Sequence, residues 1–420
     1  MESYAQVLNF AIPFFIILIA IEWIVGYRRG IMVNRSMDTI SSLSSGLTNT
    51  IKDVLGLSIA IISYDWMVNH VALFNIQTSI WLYILAFIGL DFAGYWSHRW
   101  SHEINVFWNR HIIHHSSEEF NLACALRQSI SNIFAIFTFL YLPMALLGVP
   151  TKVVAIVAPI QLFAQFWYHT RLINKMGFLE KILVTPSHHR VHHAINPQYI
   201  DKNYSQIFIF WDKLFGTFQP ELENETPIYG VKKAVKTWNP FLINWQHYWL
   251  LITDAWRTRN WWDKVRIWFM PTGWRPADVS EKYPVDIIQD VHKQVKYDTP
   301  ATSGLKMWSW TQLVITMVLM LYLFNRIADM NLSQMLCYGL FLGVSIFGYT
   351  ALMDRSKLAI PAELIKITLA NILIYINQGW FGIDTYLAFG TIIIQLYLIG
   401  SILIAFYFTF FDKRFQMSLQ

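Results

Sequence analysis

Charge is scarce in this chain of 420 residues: Asp, Glu, Lys and Arg together make 14%, while hydrophobic side chains make 55%. Soluble domains carry roughly a quarter charged residues, so the composition excludes an ordinary soluble protein and makes the bilayer the solvent. Cysteine is scarcer still. Cys124 and Cys337 are too few for a disulfide framework and lack metal-motif spacing, which leaves them as unpaired bystanders and gives no fused haem or Fe–S pattern. Also missing is any basic run with interleaved aromatics. The net charge of +5 therefore fits anionic lipid head groups rather than nucleic acid. There is no internal repeat and no low-complexity tract. Nor does the N-terminus read as a cleaved signal: no basic region precedes Phe10, no small-residue site follows the first apolar run, and Arg28 and Arg29 close that run as they would a retained anchor.

What is abundant is apolar length. Runs at 10–27, 54–71, 81–95, 133–149, 153–168, 308–324, 335–352, 358–376 and 386–410 approach the roughly 20 residues a helix needs to cross hydrocarbon. They predict an all-α integral membrane protein with about nine transmembrane helices. Basic residues are placed asymmetrically. Arg28, Arg29, Arg35 and Lys52 follow the first run, Arg355 and Lys357 the seventh, and Lys413 and Arg414 the last, while the loops at 74–80 and 377–385 carry none. By the positive-inside rule the N-terminus is expected outside the cytoplasm, with the C-terminus and the large polar loops inside.

Ten of the thirteen histidines fall in two clusters, which that topology places together on the cytoplasmic side. The first holds His98, His102, His111, His114 and His115; the second holds His169, His188, His189, His192 and His193. "HRWSH" sets its histidines at i, i+4, and "HIIHH" and "HRVHH" set theirs at i, i+3, i+4, so each box offers neighbouring ring nitrogens on a helix. Crowded imidazoles repel if protonated and lack donors if neutral; metal ions accept every lone pair. One ion takes four to six ligands, so eight to ten imidazoles imply two ions in a histidine-rich cytoplasmic cap. All-nitrogen ligation disfavours magnesium and calcium. A separate stretch, 238–274, mixes eight tryptophans with Arg and Lys and reads as interfacial helix in the head-group plane.

The boxes and their surroundings, "DFAGYWSHRWSHEINVFWNRHIIHHSSEEFNLACALRQS" and "SHHRVHHAINPQYIDKNYSQIFIFWDKLFGTFQPE", resemble the fatty acid hydroxylase and sterol desaturase superfamily, and within it the alkylglycerol monooxygenase branch. The likeness is close over 91–221 and diffuse elsewhere. It implies two iron ions, O2, and tetrahydrobiopterin as electron donor, with hydroxylation of the ether-bearing carbon of an alkylglycerol lipid and release of a fatty aldehyde and a glycerol derivative. A pterin-recycling enzyme or external reductase would be the partner. Carried over residue by residue, the iron ligands are His98, His102, His111, His114, His115, His169, His189, His192 and His193. His188 is a tenth candidate that a helix would aim elsewhere, and where some relatives have a further histidine this chain has Ile173. The implied organisation is a catalytic membrane domain over 1–275, a polar linker over 276–305 and a C-terminal four-helix bundle over 306–420.

Other polar residues carry narrower expectations. Glu103 follows His102 and is expected to fix a ligand imidazole or to ligate on occasion. Asp91, inside an apolar run where an ionisable group is costly, is expected to accept from a ligand histidine's far nitrogen, with an ion pair to Arg99 or Arg127 as the competing reading; Glu22 reads the same way. Glu118, Glu119, Asn121, Arg127 and Gln128 are candidates to meet a pterin or a glycerol head group. Asn203, Tyr204, Trp211 and Asp212 are expected to pack around the metal site. The rival within the same chemistry is a sterol or fatty acyl hydroxylase or desaturase fed by cytochrome b5 or a ferredoxin. A metal transporter would need histidines along a path through the bilayer, and these gather on one face.

Overall fold

The computed structural model describes residues 2–59 and 62–412, and among them every regular element is helical; extended pairing is confined to isolated bridges such as Ile59 with Phe134. In chain order the main helices are α1 (Glu2–Arg28), α2 (Ser36–Val54), α3 (Ile80–Glu103), α4 (Thr151–Phe163), α5 (Pro186–His192), α6 (Pro240–Arg257), α7 (Trp261–Arg266), α8 (Ser303–Arg326), α9 (Leu332–Met353), α10 (Ala359–Asn377) and α11 (Gly390–Phe410). Six of them, α1, α3 and α8 to α11, are long and apolar enough to cross a membrane. Their outer faces leave side chains such as Leu396 and Leu403 bare, which hydrocarbon covers without cost and water does not.

Among the described residues six of the nine expected runs form helices of that length, and the other three fall short for local reasons. The run over 54–71 is not one helix: α2 stops at Val54, Gly56 takes φ +65°, and the chain resumes as the short helix Tyr64–Val71. The run over 133–149 is broken between a 3₁₀ stretch, Ile136–Tyr141, and Leu142–Leu147, whose Pro143 cannot donate to the preceding turn. The run over 153–168 is helical only as α4, 13 residues or about 20 Å of rise. These short pieces pack on α3 in a cluster that includes Tyr64, Leu82, Met144, Val149 and Val153.

α2 is interior despite its polarity. Ser41, Ser42, Ser44 and Ser45 are all buried, because small side chains let helices approach closely in a membrane bundle. Ser44 Oγ lies 2.6 Å from Tyr349 OH, and Ser41 Oγ donates to Trp238 O at 2.7 Å. One hydrophobic cluster joins Ile19 of α1 and Ile40 of α2 to Met320, Phe341 and Leu398 of the C-terminal helices. Inside that bundle Lys366 pairs with Glu363 at 2.6 Å, and both reach Ser401 at 2.7 Å, so the buried charges are satisfied internally.

At one end of the bundle Asn9 and Asn325 meet at 3.4 Å; at the other Arg29 donates to Leu172 O and Arg355 pairs with Asp412 at 3.1 Å. The chain thus starts at the end remote from the histidines and its last described residue lies at the near end. Lys413 and Arg414, part of the basic asymmetry, lie outside the described residues. The polar stretch before α8 is strapped down rather than loose: Lys296 pairs with Glu119 at 2.6 Å, Tyr297 N donates to Glu118 at 2.5 Å, and Tyr297 O accepts from Arg35 at 2.9 Å.

Candidate metal centre

The last turns of α3 carry His98 and His102, whose i, i+4 spacing aims both rings the same way. His111 to His115 occupy one short helical turn, and α5, opened by Pro186, carries the third box. His169 sits just beyond α4. Neighbouring residues on a helix diverge by about 100°, so the second and third boxes split while the first stays whole. His98, His102, His111, His115 and His192 converge in one group, and His114, His169, His189 and His193 in a second, with the ligand atoms in each within 4.8 Å of one another. The second and third boxes serve both groups, which holds the groups side by side: the rings of His115 and His193 are 4.2 Å apart.

Backbone carbonyls fix the rings from behind. The Nδ1 atoms of His98, His169 and His192 lie 2.7, 3.0 and 2.9 Å from the carbonyls of Tyr204, Gln165 and Lys202, and that of His114 lies 3.3 Å from Arg127 O. A ring that donates Nδ1–H outward turns its Nε2 lone pair inward. The inward atoms are close: 2.9 Å for His98 to His111, 3.1 Å for His115 to His192, 2.8 Å for His169 to His189 and 3.0 Å for His189 to His193. His102 Nε2 is buried with no partner. Bare lone pairs at such distances repel, and a cation between them removes the repulsion. The donor set fits metal ions, and its all-nitrogen composition suits transition metals over magnesium or calcium.

Burial, then the neighbouring imidazoles, hold His111, His115, His169, His189, His192 and His193 well below the usual histidine range, and His114 is lowered to about 4. Without metal, the folded protein resists protons that the unfolded chain accepts near pH 6.5. Stability is therefore full above about pH 6.5 and falls as the pH drops below it. Melting of chelator-treated protein in detergent between pH 7 and pH 5 checks this; a flat profile contradicts it.

Residues 83–217 match the family model "Fatty acid hydroxylase". Human alkylglycerol monooxygenase is 35% identical over 367 residues, covering 87% of this chain and 82% of the relative. The chain belongs to the alkylglycerol monooxygenase family. The zebrafish (Danio rerio) member is 34% identical over 381 residues, 89% of this chain and 83% of its own. Ornithine lipid hydroxylase OlsE of Rhizobium tropici is 30% identical over 155 residues, 36% of this chain and 46% of its own. No solved structure matches the chain. Membership makes the protein an oxygenase, and its apolar helices make it an integral membrane one.

For this alkylglycerol monooxygenase homologue the expected supporting residues need correction. His188 joins neither histidine group: its Nδ1 accepts from Thr185 N at 3.4 Å, capping α5, and its ring abuts Phe218. Glu103 meets no imidazole and pairs with Arg99 at 2.9 Å on a partly exposed edge. Asp91 is fully buried but touches neither histidine nor arginine. It accepts from Ile207 N, Phe208 N and Trp211 Nε1 at 2.9, 3.1 and 2.8 Å. Arg127 is buried against Asp38 (2.7 Å), Ser42 and Ser116, and is therefore closed to a ligand. Asn121 is buried between Val33 O and Cys124 N, while Gln128 is exposed and bonds Ala125 O. Glu118 and Glu119 hold the strap already described. Glu22 accepts from Thr170 Oγ1 at 2.6 Å and Leu122 N at 2.8 Å, beside His169 rather than on it.

The loop after α5 does more than the packing expected of Tyr204 and Asp212. Lys202 O and Tyr204 O orient His192 and His98, Asp201 lies 3.9 Å from His102 Nδ1, and Asp212 anchors the loop by accepting from Tyr204 N and Ser205 N at 2.7 and 2.9 Å. Beside it opens a cavity of about 330 Å³ that reaches His102, His115, His192 and His193, with largely apolar walls that include Trp108 and Leu250.

Proposed function

We propose that the chain is a di-iron monooxygenase that hydroxylates the ether-bearing carbon of alkylglycerol lipids. The observation that carries this reading is the pair of adjoining histidine groups in a member of the alkylglycerol monooxygenase family. Iron is favoured over a structural zinc because the five imidazoles of the first group exceed the four that such a zinc takes. Tetrahydrobiopterin is carried over from the resemblance. With O2 and two electrons from the pterin, such a centre supplies insertion of one oxygen atom into the C–H beside the ether oxygen, the other atom leaving as water with two protons. The hydroxylated carbon is a hemiacetal, which breaks its C–O bond to give a fatty aldehyde and a glycerol hydroxyl.

The chain's own residues do the positioning. The histidines stand at the ends of α3 and α4, where a lipid lying between the helices presents its first carbon, so binding supplies proximity for an inert C–H bond. Apolar walls such as Trp108 and Leu250 keep water from the reacting atoms. Arg28, Arg29 and Arg35 on the histidine side support a cytoplasmic face for the site. On this reading the six apolar helices cross the bilayer, with α2, the 136–147 segment and α4 running partway beside them.

The test is fatty aldehyde release from a 1-O-alkylglycerol by detergent-purified, iron-loaded protein. Aldehyde is expected only when O2 and tetrahydrobiopterin are both present. None from protein holding two irons would overturn this substrate or this donor.

A further inference from the structure

α6 has two faces of different character. Leu242, Trp245, Trp249, Ile252 and Trp256 recur at helical spacing and are all exposed, Trp249 by 67% and Trp256 by 85%; α7 continues the surface with Trp261, 80% exposed. Such a patch in water is a liability unless something apolar covers it. The opposite face is buried and bonded to the segment that carries His111 to His115. Asn244 O accepts from Asn109 Nδ2 at 2.8 Å, Asn244 Oδ1 accepts from Ser129 Oγ and Ile130 N at 3.0 Å each, and His247 Nε2 lies 2.8 Å from Asn105 O.

The helix is also continuous with the membrane-crossing bundle. At its start Asn239 Nδ2 donates to Phe347 O of α9 at 3.3 Å, and Phe241 packs on the Phe347 ring. Its start is therefore fixed against a crossing helix. Arg257 and Arg259 stand among the tryptophans, the mixture that suits the boundary between hydrocarbon and anionic head groups.

We propose that α6 and α7 lie in the head-group layer of the leaflet on the histidine side and set the depth of the histidine groups in the bilayer. The rigid bonds from Asn244 and His247 carry that depth to the site. For a lipid whose reacting carbon adjoins its head group, depth decides whether that carbon reaches the histidines. This last step rests on the proposed lipid oxygenation; the placement of the helices does not.

The test uses the full chain in phosphatidylcholine–phosphatidylserine vesicles, with Cys337→Ser removing the exposed cysteine and nitroxides placed through Trp249→Cys, Trp256→Cys or Trp261→Cys. Collision with O2 against a water-soluble nickel chelate reads depth. Lys236→Cys and Leu403→Cys are the aqueous and lipid references. Values between the two references are expected. Values matching Lys236→Cys overturn the proposal, and so does shielding from both quenchers, which would mean that a second copy of the chain covers the face. In a second arm, Trp249→Gln/Trp256→Gln/Trp261→Gln is expected to keep metal content and melting temperature. It should lose about fivefold or more of its aldehyde release from vesicle-borne substrate, but little from substrate dispersed in detergent. Equal losses in both settings overturn the depth-setting role. If the parent chain releases no aldehyde at all, the functional reading fails while the nitroxide arm still decides the placement.

Discussion

Replacing His192 by alanine is expected to remove about one metal ion per chain and to lower monooxygenase turnover by at least about a thousandfold. His192 comes from the third box but closes the first group, with its Nε2 3.1 Å from that of His115 and its Nδ1 fixed by Lys202 O. Without it the remaining four imidazoles all come from α3 and the second box, and nothing from α5 closes the group. His188, four residues away, is the control. It caps α5 and faces no other histidine, so His188→Ala is expected to cost about 1 kcal/mol of stability while keeping both ions and most of the activity. Elemental analysis of the purified variants beside the aldehyde assay separates these outcomes. His192→Ala protein with a full metal complement and full activity would remove the first group from the mechanism.

The histidine boxes were legible because their information is local: i, i+3 and i+4 spacing means the same thing wherever a helix turn occurs. Their partition was not. Nothing in "HIIHH" says that His111 and His115 serve one group and His114 the other, since that depends on where α5 and His169 arrive from far along the chain. The long apolar helices were legible by length, whereas the run over 54–71 failed at Gly56, whose left-handed φ of +65° a hydropathy count does not register. α2 was missed for the converse reason: its serines keep it out of the apolar runs, yet they are what lets Tyr349 and Trp238 approach. Arg127 looked available because its partner Asp38 is 89 positions away. Asp91 and Glu22 were correctly singled out as costly buried carboxylates, but half of their partners are backbone N–H groups, which carry no signature in a sequence.

Those carboxylates lead to the second large effect: each group of histidines rests on its own anchor, so the ions are expected to be lost separately. The loop that orients His98 and His192 bends through left-handed backbone at Asp201 and Asn203, φ 58° and 57°, which costs of order 1 kcal/mol or more at each. It stays in place because Asp212 accepts from Tyr204 N, Ser205 N and Thr217 Oγ1, and Asp91 accepts from Ile207 N and Phe208 N. Asp212→Ala would orphan two backbone donors, Tyr204 N and Ser205 N, at roughly 1–3 kcal/mol apiece and release the carbonyls behind His98 and His192, lowering metal affinity at the first group by about 10- to 100-fold. The second group does not share this support. His169 and His114 rest on Gln165 O and Arg127 O, while Glu22 clamps Thr170 and Leu122 next to His169. Glu22→Ala is accordingly expected to weaken the second ion and spare the first. Metal titration of chelator-stripped Asp212→Ala and Glu22→Ala protein, with melting curves to confirm folding, should give one tight and one weakened site in each. The milder Asp212→Asn, which keeps an acceptor oxygen, should recover part of the loss. Two variants that lose both ions together would mean that the nine imidazoles are held as a single unit, and that the shared second and third boxes couple the ions more strongly than their separate anchors divide them.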